Sequence, residues 1–397
     1  MELSNRVQVI KPSPTLAVTA RAARLKAEGK DIIGLGAGEP DFDTPQHIKD
    51  AAITAINNGF TKYTPVGGTP SLKKAIIAKF RNENGFDYDT QQILVSCGGK
   101  QSFFNLVLSV INPGDEVIIP APYWVSYPDI VLIAEGNPVF IETGIEQNFK
   151  ITATQLENAI TPKTKMFVIN SPGNPSGAVY TAEELKALCE VLRKHPDILI
   201  ATDDMYEHIL LSGKQFINIL NVCPDLYPRT IVLNGVSKAY SMTGWRIGYC
   251  GGPAHIVTAM ENIQSQSTSN PCSISQIAAE TALVGDQSCI EPMLAAFKER
   301  NNFVAEKLNA MNGIRSLHSD GAFYTFADTR QAITDLYSRK LLSNQSDIAF
   351  TEYLLEHAGV AVVPGSAFGS EGYIRLSFAT SIKNLKVALE RIKKTLT

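Results

Sequence analysis

Short apolar runs recur between residues 93 and 250, and they constrain the fold more than any other feature of this chain. Ile93-Leu94-Val95, Val117-Ile118-Ile119 and residues 165–170, 198–202, 230–234 and 247–250 each fit a strand. The runs are continuous rather than alternating, which suits strands buried on both faces of a largely parallel sheet. Helix-like stretches separate them. Residues 71–81 read as one helix, and Gly99 opens another that runs to about Val110, where Asn112-Pro113-Gly114-Asp115 stops it. This alternation predicts an α/β fold. From about residue 291 the chain is more helical, with strand-like segments at 322–326 and 373–378. The expected organisation is a large domain over 46–290 and a smaller α/β domain formed by 1–45 and 291–397. No internal repeat or low-complexity segment interrupts the pattern.

Polar residues follow the apolar runs again and again. Gly98-Gly99-Lys100 follows the first, residues 170–174 another, Asp203 and Tyr206 a third, and Ser237-Lys238 a fourth. Open α/β sheets bind ligands at the carboxyl ends of their strands. These separated motifs are therefore expected to converge on one place.

Composition narrows the function. A net charge of -3, with acids and bases mixed along the chain and no basic block, argues against nucleic acid as a partner. No apolar stretch is long enough to span a bilayer, and the first residues lack a secretory apolar region. The cysteines, at 97, 189, 223, 250, 272 and 289, form no CxxC pair and no Cys/His cluster. Neither a metal site nor a disulfide framework is expected. The expectation is a cytoplasmic enzyme with free thiols, acting on small molecules.

The run Gly235-Val236-Ser237-Lys238-Ala239-Tyr240-Ser241-Met242-Thr243-Gly244-Trp245-Arg246 carries the chemistry. Small neighbours let a flat cofactor approach and leave room for the Lys238 amine to bond to it. The Arg246 fork suits a phosphate. Taken alone, both also read as surface charges around a Gly-rich turn. Together they match what pyridoxal 5'-phosphate (PLP) demands, an amine at one end and an anion site at the other. Gly98-Gly99-Lys100-Gln101 before a helix offers amides for the same phosphate, though alone it is only a turn. A carboxylate at the strand end, Asp203, is costly unless paired, and a protonated pyridine nitrogen would pair it. Tyr206 could reach the ring hydroxyl. Asp204 reads as a helix N-terminal carboxylate. Asn174 lies in the turn-rich run Asn170-Ser171-Pro172-Gly173-Asn174-Pro175, and the neighbouring prolines fix its backbone. Period-2 spacing puts Arg375 on one face with Tyr373 and Ser377, opposite Ile374 and Leu376. A guanidinium there is either a surface charge or a receptor for an α-carboxylate.

From near residue 10 to the end, the chain resembles the class I PLP-dependent aminotransferases of fold type I. It is most similar to the bacterial aspartate aminotransferase branch Ib, through the lysine run, Asn170 to Gly177, Gly98 to Gln101, Ala37 to Pro45 and Ala361 to Gly365. The resemblance implies a large domain with a mainly parallel sheet and a smaller α/β domain. It implies that Lys238 is the catalytic lysine and that Gly99, Lys100, Gln101, Trp124, Asn174, Asp203, Tyr206, Ser237 and Arg246 bind PLP. Trp124 stacks on the ring, and Tyr63 reaches the phosphate of a neighbouring subunit, which implies a homodimer. Gly38, Trp124, Asn174 and Arg375 contact substrate, and Lys100, Ser13 and Thr15 receive its second carboxylate. Lys11 matches the segment of members that accept prephenate as well as oxaloacetate. The implied activity is transfer of an amino group from L-aspartate to 2-oxoglutarate, with prephenate as a further acceptor.

Other functions stay open at this point. A PLP-dependent lyase, or an aminotransferase for another amino acid, could use the same fold. A non-catalytic regulator would need a DNA-binding segment, for which no room is expected before residue 10. Gly34-Leu35-Gly36-Ala37-Gly38 looks like a dinucleotide loop, but Glu39-Pro40 follows where a helix should run.

Overall fold

The computed structural model describes every residue except Met1, Lys11 and Ser13. A seven-stranded sheet forms its centre among the described residues. Strand β1 (Ile33–Gly34) lies outside it, in a two-stranded pairing described below. The central strands are β2 (Ile93–Ser96), β3 (Glu116–Pro120), β4 (Asn137–Ile141) and β5 (Thr164–Asn170). They continue with β6 (Leu199–Asp203), β7 (Thr230–Gly235) and β8 (Gly248–Gly251). Their order is β2-β8-β7-β6-β5-β3-β4. Only β8 runs against the rest; the other pairings, β7 through β4, are parallel.

The apolar runs form these strands because both faces are covered. Leu94, Val117, Ile119, Met166 and Val168 pack into one cluster, and Ile93, Val95, Ile118, Phe167 and Ile169 into the larger core. Alternate residues of a strand point to opposite faces, so each strand feeds both cores. Burying this apolar surface on two sides is what holds the sheet.

The helix read over 71–81 spans Pro70–Lys79 and then widens over Phe80–Asn84, ending at Gly85 in the left-handed region (φ 74). Thr69 caps its start by accepting from the Leu72 amide. The helix at Gly99–Val110 matches the sequence expectation.

Smaller sheets are built from β9 (Tyr324–Asp328), β10 (Val360–Ala361), β11 (Val363–Pro364) and β12 (Tyr373–Ser377). β1 pairs with β10, and β12 lies between β11 and β9. This places Arg375 opposite both Val363 and Phe326. No helix among the described residues is long and apolar enough to cross a membrane. The six cysteines are free thiols.

Candidate active site

The carboxyl ends of β5, β6 and β7 open onto one cavity of about 430 Å³. Its walls include Thr15, Gly38, Gly99, Lys100, Trp124, Asn174, Asp203, Tyr206, Ser237, Lys238, Arg246 and Arg375. Motifs read separately along the sequence therefore meet here, as strand-end geometry requires.

Lys238 follows β7 and donates from Nζ to the Gly38 carbonyl at 2.6 Å. Removal from water, reinforced by the charges of Arg375 and Arg246, lowers its pKa to about 8. Near neutral pH a usable fraction of this amine is unprotonated, as a nucleophile or general base requires.

Asp203 ends β6. Its carboxylate accepts from the Tyr127 hydroxyl at 2.5 Å and from the Met205 amide at 3.2 Å. Burial still leaves its pKa raised, with both hydrogen bonds and Lys238 acting the other way. A buried carboxylate facing an open cavity is suited to a cationic ligand atom. Asp204 corrects the sequence reading. It starts no helix; it points into the core and meets Thr202 Oγ1 at 2.7 Å and Asn218 Nδ2 at 2.6 Å. Burial and nearby Glu207 push its pKa up to about 8. Adjacent residues at a strand end face opposite ways, so one carboxylate faces the cavity and the other the interior.

The anion end is built from Gly98, Gly99 and Arg246. Arg246 sits in the left-handed region (φ 55) and is held by the Thr243 carbonyl at 2.9 Å. Gly98 has φ +89, and a Cβ there would lie 2.4 Å from Arg246 Nη2. The positive φ favours glycine, and any Cβ would push the Arg246 fork aside. The Gly99 and Lys100 amides at the helix start have no protein acceptor among the described residues, which leaves them for an anion. Gln101 does not join them. Its side chain accepts from the Cys97 amide at 2.6 Å and donates to Thr268 at 2.7 Å, and it does not line the cavity. One helical step beyond Lys100 turns it away, so it braces the turn instead of binding there.

Arg375 is not a surface charge. It is 2% exposed, and all five residues of β12 are buried. Nη1 donates to Asn174 Oδ1 at 2.9 Å and Nη2 to the Gly36 carbonyl at 2.7 Å. Its guanidinium lies over the rings of Tyr324 at 4.4 Å and Phe368 at 4.8 Å. Nε is buried without a hydrogen-bond partner among the described residues. Asn174 is itself fixed, its amide donating to Asn170 Oδ1 at 2.9 Å. The Lys100 ammonium stands over the Trp124 ring at 5.3 Å, and burial and Arg246 lower its pKa.

Tyr63 is 92% exposed and absent from the walls of this single chain. Lys11 and Ser13 lie outside the described residues. The sequence reading assigned no role to Tyr127, Asn170, Glu39, Thr243 or Tyr324. Glu39 accepts from Thr243 Oγ1 at 2.9 Å on the cavity wall. Tyr324 bonds Tyr206 through their hydroxyls at 2.9 Å. Such partners leave no local pattern, because each contact joins distant parts of the chain.

The sequence model for "Aminotransferase class I and II" matches residues 30–392. The aspartate/prephenate aminotransferase of Nitrosomonas europaea is 74% identical over 396 residues, covering 100% of each chain. That of Cereibacter sphaeroides is 52% identical over 393 residues, covering 98% of each. Among solved structures, the aspartate aminotransferase of Rhizobium meliloti is 48% identical, with a TM-score of 0.94 and coverage of 100% of this chain and 99% of that one. The Thermus thermophilus aspartate aminotransferase with maleate is 43% identical, with a TM-score of 0.93 and both chains covered in full. With its match over most of its length and these full-length relatives, the chain belongs to the class I and II aminotransferases, enzymes whose cofactor is pyridoxal 5'-phosphate.

Proposed function

We propose that this enzyme transfers the amino group of L-aspartate to 2-oxoglutarate, reversibly, giving oxaloacetate and L-glutamate, and that it also aminates prephenate to arogenate. The observation that carries this reading is the pairing, in one cavity, of a lysine with a pKa near 8 and, besides Arg246 at the anion end, two cations left for substrate, Arg375 and Lys100. Two cations suit a substrate with two carboxylates. The names of the full-length relatives support the same choice.

The residues present fit PLP. Lys238 would hold it covalently, Asp203 would face the ring nitrogen, and Tyr206 and Asn174 the ring hydroxyl. Trp124 would cover the ring face, with Ser237, Arg246 and the Gly99 helix start at the phosphate. When bound, PLP supplies the electron sink that lets a proton leave the substrate Cα. Arg375 receives the α-carboxylate in a bidentate pair and so fixes the direction of the Cα–H bond. Lys100 and Thr15, with Ser13, receive the second carboxylate, and Lys11 helps bind the longer prephenate. Gly38 holds the Lys238 amine through its carbonyl and lies along the substrate path. Once free of the cofactor, the Lys238 amine would take the Cα proton as general base and, as general acid, deliver it to the cofactor's former carbonyl carbon. The reading includes a cytoplasmic homodimer in which the partner subunit's Tyr63 reaches the phosphate, and the division into 46–290 and 1–45 with 291–397.

The test is a panel of 2-oxoglutarate, oxaloacetate, prephenate and phenylpyruvate with aspartate and glutamate as donors, run on the wild type and Lys238→Ala. Turnover of dicarboxylate pairs by the wild type alone is expected. Failure on every dicarboxylate pair removes the substrate assignment; full transamination by Lys238→Ala removes the mechanism.

A further inference from the structure

Tyr324 lies outside the motifs that carry the cofactor and substrate assignments, yet it is among the most connected groups in the cavity. It opens β9 and is fully buried. Its hydroxyl meets that of Tyr206 at 2.9 Å. Its ring carries the Arg375 guanidinium at 4.4 Å. A Cβ on Gly38 would lie 3.2 Å from the same hydroxyl, so the backbone that receives the Lys238 amine passes against it. One side chain thus touches the phenol facing the ring hydroxyl, the arginine facing the α-carboxylate, and the segment holding the lysine.

A hydroxyl has a single proton to give. If Tyr206 donates to the ring oxygen of PLP, it cannot also donate to Tyr324, and must accept from it. That fixes the direction of the bond: Tyr324 O–H donates to Tyr206, and Tyr206 O–H donates to the ring oxygen. A donor that is itself hydrogen-bonded as an acceptor becomes a stronger donor. We propose that Tyr324 is a positioning residue: its hydroxyl orients and strengthens Tyr206 as a donor, while its ring seats Arg375 beside the same site. This rests on the PLP reading above and adds a residue to it. The titratable and charged groups facing the two phenols are Arg375 from β12, Asp203 from the end of β6, Lys238 from the loop after β7, Glu39 from the segment after β1, and Tyr127 from the helix at Ser126–Ile133.

A donor aimed at the ring oxygen favours the form in which that oxygen carries more negative charge, which is the deprotonated form. Weakening the donor therefore raises the pH midpoint of the cofactor's visible absorbance band. The experiment titrates that band in the holoenzyme for the wild type, Tyr324→Phe, Tyr206→Phe and the double variant, with Tm measured on each. Tyr324→Phe keeps the ring and is expected to raise the midpoint by about half a unit to one unit, the effect of one ordinary hydrogen bond. KM for aspartate should change less than about twofold, because Arg375 keeps its ring. In the Tyr206→Phe background, the Tyr324 substitution should add no further shift. Tyr324→Leu, which removes the ring too, should shift the midpoint similarly and also raise KM. An unchanged midpoint in both single variants at Tyr324, or a shift that persists without the Tyr206 hydroxyl, overturns the proposal. A wild-type enzyme with no visible cofactor band, or a Lys238→Ala variant whose band and turnover are unaltered, instead overturns the PLP reading itself.

Discussion

Replacing Arg375 by lysine tests how much of substrate binding comes from shape rather than charge. Both side chains are cationic, and the position is almost sealed from water. The arginine divides its donors. Nη1 and Nη2 hold Asn174 and Gly36, and the buried Nε has no partner among the described residues. The planar fork lies against the rings of Tyr324 and Phe368. A lysine ammonium is a point charge that can replace one of these contacts at a time and cannot meet a carboxylate in two parallel bonds. The expected loss is one charge-assisted hydrogen bond, about 1.5–3 kcal/mol. That corresponds to a fall of roughly 10- to 150-fold in kcat/KM for aspartate. Part of it should appear in kcat, because a less constrained carboxylate leaves Cα–H misaligned with the Lys238 amine. Steady-state kinetics on Arg375→Lys, with KM and kcat resolved for aspartate and 2-oxoglutarate, measure this. A kcat/KM within threefold of the wild type would refute the argument that the buried fork, rather than its charge, recognises the α-carboxylate.

Three further outcomes follow from the geometry. Lys238 has its pKa lowered to about 8 in the folded chain, so the unfolded chain binds more protons between there and the ordinary lysine value. Its burial therefore destabilises the cofactor-free enzyme most below pH 8, and the penalty fades as pH rises toward 10.5. Lys238→Met should raise the Tm of the apo-enzyme at pH 7 and by progressively less at pH 9 and 10; a gain that is constant with pH contradicts this. Gly98→Ala places a Cβ against Arg246 at a backbone angle alanine rarely adopts. Cofactor affinity measured by fluorescence titration should drop at least about tenfold, the value of one lost phosphate contact, and an unchanged affinity would show that the arginine is not held by this turn. Glu207→Gln removes the nearer carboxylate of the fully buried Lys79 ammonium and leaves it Glu83 Oε2 at 3.5 Å and Asn84 Oδ1 at 2.7 Å. Leaving a buried charge wholly unpaired costs about 3–5 kcal/mol; with Glu83 still facing Lys79, urea unfolding should report a loss below that range but above about 1 kcal/mol, and a smaller loss would mean the Glu207 pair is not the anchor of this region.

What could be read from the sequence divides along a physical line. Strands buried on both faces are written as continuous apolar runs, so β2, β3 and β5 to β8 were legible. β4 was not: it sits at the sheet edge, carries Pro138 and is exposed at Asn137, and a proline in an edge strand reads as a breaker. The two-residue strands β1, β10 and β11 are too short for any periodicity. Arg375 was placed on the correct strand, but its burial was undecided, because a charged residue in an alternating strand reads the same whether its face meets water or a cavity.

The same line runs through the site. Residues that touch a ligand must match its chemistry: an amine for the cofactor carbonyl, a fork for a carboxylate, glycine where a phosphate approaches. Their types are forced, and forced types make motifs. Residues that hold those groups in place face no such restriction, because several side chains could donate to Asp203 or to Tyr206. Tyr127 reaches Asp203 from 76 positions away, Tyr324 reaches Tyr206 from 118, and Asn174 and Arg375 meet across 201. Each long contact joins a group whose type is dictated to one that is dictated only by the fold, except the last, where both partners belong to sequence motifs. That is why Asn174 and Arg375 stand out in the sequence despite the widest of these separations, while Tyr127 and Tyr324 appear only once the strands are packed.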